Sequence, residues 1–294
     1  MIEVIFVIVS LIFLAIASYN DTKTKEVPDW ISYSLIIIGF SLSLLASIVN
    51  KDYKIILFSV IGFLIMYLIA LIMYYTKQWG GGDAKLLMGL GTMFYYYPSF
   101  LLKYFSPSIE KFPFVLIIFI NLIIYGALYS LIWAVFLSIK NKKAFKLRFR
   151  SIYNENSTLT VRKIGVIMSL VLIVLSFFVV SEKNLLPLFI LLATFPIIFV
   201  YAFILMKTVE LSSMIKRIHI DKLTEGDWII YDIHEKNKLI YSSKSTGVTK
   251  EQIAKIKSLK IHSVTIKEGI PFVPSFLISL ILSFIFGNPI TLLI

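Results

Sequence analysis

The chain has no cysteine and only three histidines. The first absence excludes disulfides, thiol nucleophiles and thiolate zinc sites, and it leaves the redox compartment undecided. The histidines, His219, His234 and His262, all fall in one polar segment. No apolar run therefore carries the base that an intramembrane serine nucleophile would need, and the three read as surface or satisfied core residues. There is no H-E-x-x-H zinc signature and no G-x-S-x-G elbow. Three consecutive glycines, Gly80, Gly81 and Gly82, lack the G-K-[ST] that completes a phosphate-binding loop. No metal and no cofactor is expected.

Charge is also scarce, at 16% of residues, while 58% are hydrophobic. The mean hydropathy is +0.87. A soluble domain is nearer 45–50% apolar. The long uncharged runs point to a multi-span helical membrane protein. Its formal net charge of +12 is expected to set orientation in the membrane, not to bind nucleic acid. Ala15-Ile16-Ala17 imitates a signal-peptide cleavage site. The start, however, carries Glu3 and no basic residue, so a retained first span is expected.

Apolar runs place spans at about 2–19, 30–49, 55–75, 84–97, 114–139, 164–180, 185–206 and 270–286. The fourth is short: its fourteen residues reach roughly 21 Å against a hydrocarbon core of about 30 Å. The expected fold is an all-α polytopic membrane protein of about eight transmembrane helices. A small cytoplasmic α/β domain is inserted before the last helix. Four units follow: a membrane module at 1–139, a basic loop with two further spans at 140–206, the soluble domain at 207–269, and a closing span at 270–294. In the soluble unit, strands are expected at 228–234, 239–241 and 261–266, with a turn at 235–238. Thr249-Lys-Glu-Gln252 opens a short helix as a capping box.

With the N-terminus outside, loops on the inner side carry twenty-four basic residues. The outer loops carry five: Lys51, Lys54, Lys103, Lys111 and Lys183. The basic run at 140–163 is expected to set topology and meet anionic lipid, with guidance of a substrate as the alternative.

Two acids stand out against this background. Asp21 follows the first span and Asp83 opens the fourth, on the same membrane side. Ionisable groups there are costly and mark function by default. Two neighbouring carboxylates cannot both ionise cheaply, so they share a proton and titrate as a pair. One then acts as base on water while the other, protonated, polarises a carbonyl. Structural roles stay open: Asp21 as a cap for the loop, Asp83 as the N-cap of the fourth span, Gly80 to Gly82 as a plain turn, and Lys85 as a snorkelling side chain. A cation-coupled transporter with two buried carboxylates also stays open, although no inverted repeat is visible.

Asp21-Thr22-Lys23-Thr24-Lys25-Glu26-Val27-Pro28-Asp29 resembles the D-x-[RK]-x-[RK]-x-[IV]-P-[ND] loop of type IV prepilin peptidases. Gly80-Gly81-Gly82-Asp83-Ala84-Lys85 resembles their G-x-G-D-x-K motif. Gly269-Ile270-Pro271-Phe272-Val273-Pro274 before a last span is similar to the archaeal preflagellin and prepilin branch. Signal-peptide-peptidase-like enzymes share the G-x-G-D idea but cut within spans. The resemblance implies an aspartic endopeptidase at the cell membrane with catalytic Asp21 and Asp83, supported by Gly80, Gly82 and Lys85. It implies cytoplasmic removal of short basic leaders from pilin-like or archaellin precursors. Glu26 and Asp29 are suggested contacts for the leader. Bacterial members usually carry a cysteine zinc module linked to N-methylation, so methyl transfer is not expected here. Compact members have six spans, which makes about 140–207 an elaboration. The resemblance leaves the oligomeric state open.

Overall fold

In a bilayer an uncharged run can bury its backbone only as a helix, because every N–H and C=O must find a partner inside the segment. The computed structural model follows that rule. It describes residues 2–109, 112–180, 185–235, 238–259 and 261–289. Lys111, Lys183 and the central residues of the expected 235–238 turn lie outside the described residues.

The first helix, α1, runs Ile2–Thr24, past the expected end at residue 19. Ser18 and Thr22 donate their hydroxyls to Leu14 O and Ser18 O, at 2.6 and 2.7 Å. These polar side chains are satisfied by the helix itself, so they do not end it. Asp21 therefore sits in the last helical turn and not in the connecting loop. Helices α2 (Asp29–Asn50) and α3 (Lys54–Tyr75) follow. Each of these three helices is followed by a lysine in the left-handed region: Lys25, Lys51 and Lys77, with φ of 64°, 53° and 59°. The conformation turns backbone N–H groups toward the last carbonyls, as in Lys25 N–H to Asp21 O at 2.9 Å. A cation there also complements the negative helix end.

Helix α4 is Gly81–Met93, starting and ending earlier than expected. At thirteen residues it reaches about 20 Å. It runs through the middle of the bundle, with Ala84, Leu86, Leu87 and Leu90 buried between α2 and α3. Its end is capped from outside: Ser59 donates to Thr92 O at 2.6 Å and Ser43 does so at 3.4 Å. The packing is close enough that backbone meets backbone. A Cβ added at Gly91 would lie 2.6 Å from Gly62 O.

Helix α5 is Phe114–Lys140. The expected basic loop is largely helical: α6 spans Lys142–Tyr153, and α7 already begins at Asn156 and runs to Val179. The expected seventh span is divided into α8 (Leu186–Ala193) and α9 (Phe195–Val209). Pro196 cannot donate an N–H across that joint, which breaks the ladder at Thr194. A π-helical turn, Glu210–Met214, leads out of α9.

Among the described residues the polar segment holds five strands: β1 (Ile215–His219), β2 (Trp228–Ile229), β3 (Ile233–Glu235), β4 (Lys238–Tyr241) and β5 (Ser263–Lys267). The sheet order is β1-β5-β2, antiparallel throughout, beside a β3-β4 hairpin. The expected strand at 228–234 is interrupted at 230–232, where Asp232 turns to accept N–H and O–H from Ser243. β1 had no sequence expectation. Helix α10, Lys250–Ser258, carries the expected capping box, with Gln252 N–H donating to Thr249 Oγ1 at 3.3 Å. Thr249→Ala is expected to cost this unit about 0.5–2 kcal/mol, read as earlier hydrogen exchange across α10 while the membrane helices are unchanged.

The last helix, α11, is Val273–Phe286, two prolines framing its start. Asn121 of α5 donates to Ser283 Oγ and Gly287 O, at 2.7 and 2.9 Å, and ties α11 to α5 inside the apolar layer. Six helices among the described residues are long and apolar enough to cross a membrane, while α4 and α11 are shorter. The protein is thus mostly helical and multi-pass, with one small sheet region near the C-terminus.

Candidate active site

Asp21 is buried, 7% exposed, at the end of α1. Val273 N–H, the first in α11, donates to Asp21 Oδ2 at 2.9 Å. The start of a helix offers unpaired N–H groups and a partial positive charge, so a carboxylate fits there. Helix α11 packs along α1, which holds this contact in place. Nothing in the Val273 side chain announces it. The usable signal was the pair Pro271 and Pro274, which fix where a helix can begin and so where its free donors point.

Asp83 occupies the third position of α4 and is partly exposed. Its Oδ2 accepts Gly80 N–H at 3.1 Å. Gly80, not Asp83, is the N-cap residue, so the expected capping role is corrected by three positions. Asp83 lies within electrostatic range of Asp21. The two helix ends meet because the α1–α2 loop rests on the glycines. An added Cβ at Gly82 would sit 2.9 Å from Val27 Cβ. Any side chain there would lift the loop away. Trp79, immediately before the glycines, is buried against Phe119, Phe272 and Phe276, with ring centroids 6.3, 5.8 and 5.5 Å away. That aromatic block fixes the glycine-rich turn to α5 and α11.

The other expected residues divide. Lys85 does not partner Asp83. Its ammonium pairs with Asp29 at 2.5 Å and lies over the Tyr33 ring, 5.0 Å from the centroid. The pair ties the first turns of α4 to the first residue of α2. Asp29 is thereby already engaged within the chain. Glu26 is exposed on the loop, in the electrostatic surroundings of Asp227.

Asp227 belongs to the sheet unit, which lies on this same face. Burial raises its carboxyl above the ordinary range; hydrogen bonds from Thr224 oppose this, and Glu26 and Glu268 add to it. Lys25 lies over the Trp133 ring at 5.3 Å. Burial lowers its ammonium from the ordinary lysine value, against the pull of Glu268 and Asp21. Tyr74 at the end of α3 meets Thr246 of the sheet unit, oxygen to oxygen, at 3.3 Å. No group of three or more potential metal ligands occurs among the described residues.

Residues 8–136 match the type IV leader peptidase family. A preflagellin peptidase of Methanococcus voltae is 30% identical over 45% of this chain and 56% of its own length. A preflagellin peptidase of Methanocaldococcus jannaschii is 35% identical over 29% of this chain and 36% of its own. A prepilin peptidase of Methanothermobacter thermautotrophicus is 25% identical over 46% of this chain and 36% of its own. The chain thus spans between about a third and just over half the length of these relatives. No solved structure matches it.

Proposed function

We propose that this chain is a membrane-embedded aspartic endopeptidase that removes short basic leaders from pilin-like or archaellin-like precursors. One observation carries the proposal: two carboxylates, Asp21 and Asp83, at adjoining ends of α1 and α4, inside the stretch that matches the leader peptidases. The three relatives above are named as peptidases, which leaves the transporter reading without support.

The chemistry needs one ionised and one protonated carboxyl. The ionised one takes a proton from water as its oxygen attacks the scissile carbonyl carbon. The protonated one gives its proton to the carbonyl oxygen. Collapse of the tetrahedral species then breaks the C–N bond: the amine leaves with the proton first taken from water, and a hydroxyl of the diol returns its proton to the carboxylate that had donated one. No covalent enzyme intermediate forms. Low dielectric around the pair strengthens each of these interactions.

In this proposal α4 and α11 complete a bundle of eight spans. The N-terminus faces outside, and the dyad and sheet unit face the cytoplasm. The unequal distribution of basic residues supports that orientation. Residues 1–139 form the catalytic module, and α11 completes it. Glu26 remains a candidate contact for a basic leader, whereas Asp29 serves Lys85.

Membranes containing the chain should shorten a precursor that carries a basic leader, seen as a mobility shift. An unshifted precursor beside abundant protein would refute the assignment. Spacing between loop and glycines supplies a finer test. Gly82→Ala is expected to slow conversion roughly a hundredfold, by displacing one carboxylate from the other. Adding Val27→Gly to the same chain removes the atom that the new methyl group meets and should restore most of the rate. Equal rates for the single and double variants would show that this contact does not set the geometry.

A further inference from the structure

Residues beyond 136 lie outside the stretch shared with the leader peptidases, and α6 is the most highly charged element there. It carries Lys142, Lys143, Lys146, Arg148 and Arg150, and no acid. None of these five cations has an ion-pair or hydrogen-bond partner among the described residues. Two of the helix's faces are distinct. Phe149 and Ile152 pack on Val200 and Ile204 of α9. A second stripe borders a cleft of about 440 Å³. Ala144, Leu147, Arg148 and Ser151 form one wall, Leu211 and Ser212 of the π turn the other. The volume lies within the roughly 300–1,000 Å³ usual for small-molecule sites.

The cleft combines three chemistries. Arg148 brings an unpaired guanidinium fork, the geometry that takes phosphate through two parallel hydrogen bonds. Ser151 and Ser212 bring hydroxyls. Leu147, 75% exposed, and Leu211 bring an apolar lip. An exposed leucine between cations is poorly placed in water and well placed where headgroups give way to acyl chains. Position agrees with this. α5 ends two residues before α6 begins, and α7 starts three residues after α6 ends. Both neighbours are long enough to cross a membrane, so α6 is held at the boundary.

We propose that this cleft holds the headgroup of an anionic glycerophospholipid. The phosphate sits on Arg148 and the serine hydroxyls, and an acyl chain lies along Leu147 and Leu211. A free phosphate would leave the apolar lip unused. The location gives the lipid leverage. Ser212 adjoins Ser213, which accepts Asn141 Nδ2–H at 2.9 Å, and β1 starts two residues later. A bound lipid thus secures the root of the sheet unit to the bilayer, independently of whether the dyad is catalytic.

The test is native mass spectrometry of the full-length protein, titrated with dioleoylphosphatidylglycerol or dioleoylphosphatidylcholine. Phosphatidylglycerol should be retained selectively. Arg148→Gln should weaken retention roughly tenfold or more, the loss expected for a hydrogen bond to a charged group. Leu147→Ser should weaken it as well. Lys142→Gln with Lys143→Gln removes twice the charge outside the cleft and should weaken retention less than Arg148→Gln. Excess inorganic phosphate should not displace the lipid. A larger loss in the double lysine variant would overturn the site in favour of a diffuse field. Equal retention of phosphatidylcholine, or displacement by phosphate, would overturn it too.

Discussion

Asp21→Asn and Asp83→Asn should each stop precursor conversion, with the protein still accumulating in the membrane. The expected loss is at least about a thousandfold, the upper part of the range for removing a positioned acid or base. Asparagine is the informative replacement. Its amide oxygen can still accept Val273 N–H at position 21, or Gly80 N–H at position 83, so both helix ends keep their donors satisfied. Alanine at position 21 would leave the buried Val273 N–H unpaired and confuse folding with chemistry. In the proposed mechanism the two carboxyls share one proton-transfer cycle, so the double variant should be no slower than either single one. A mobility-shift time course on matched membrane preparations measures all three. Normal conversion by either single variant would remove the dyad from the mechanism.

The second large effect lies where α3 and α4 cross. Gly62 and Gly91 face each other there with no side chain between. A Cβ on either meets the carbonyl oxygen of the other, and neither backbone can rotate away as a side chain would. Gly91→Ala should therefore destabilise the protein by about 1–3 kcal/mol, as overpacking does in a filled interior. Gly91→Val should prevent assembly of the bundle, because α4 would be forced off the helix that wraps it. Small residues at such crossings let helices approach in a bilayer, where water supplies no hydrophobic drive. Thermal unfolding in detergent measures the effect. Gly269→Ala is the control: an added Cβ there meets nothing within 4 Å. Indistinguishable melting of Gly91→Ala and Gly269→Ala would show that the crossing is slack.

What could be read beforehand followed from how each signal is carried. α5 was legible almost to the residue, because Pro113 and Lys140 bracket an uncharged run. Both carboxylates were legible because charge is rare in apolar surroundings. α1 was cut short because Asn20, Thr22 and Thr24 look like loop residues, yet they bond back to their own helix. α6 was missed as a helix because a dense basic run reads as solvated chain, although Phe145, Phe149 and Ile152 recur with helical spacing. β1 had no cue at all. Its partner β5 is some fifty residues downstream, and pairing at that distance leaves no mark on the five residues themselves. The amide of Val273 was invisible for a related reason: a backbone donor belongs to every residue, and only the fold selects one.

That amide has a bearing on synthesis. Asp21 emerges from the ribosome long before its hydrogen-bond donor, which follows 252 residues later. A nascent chain holding the first five helices contains both acids, yet one of them still lacks its donor. The site is completed only when the helix beginning at Val273 has joined the others. Under the proposed function, precursors sharing the membrane with a half-made copy would face two aspartates not yet held in working order.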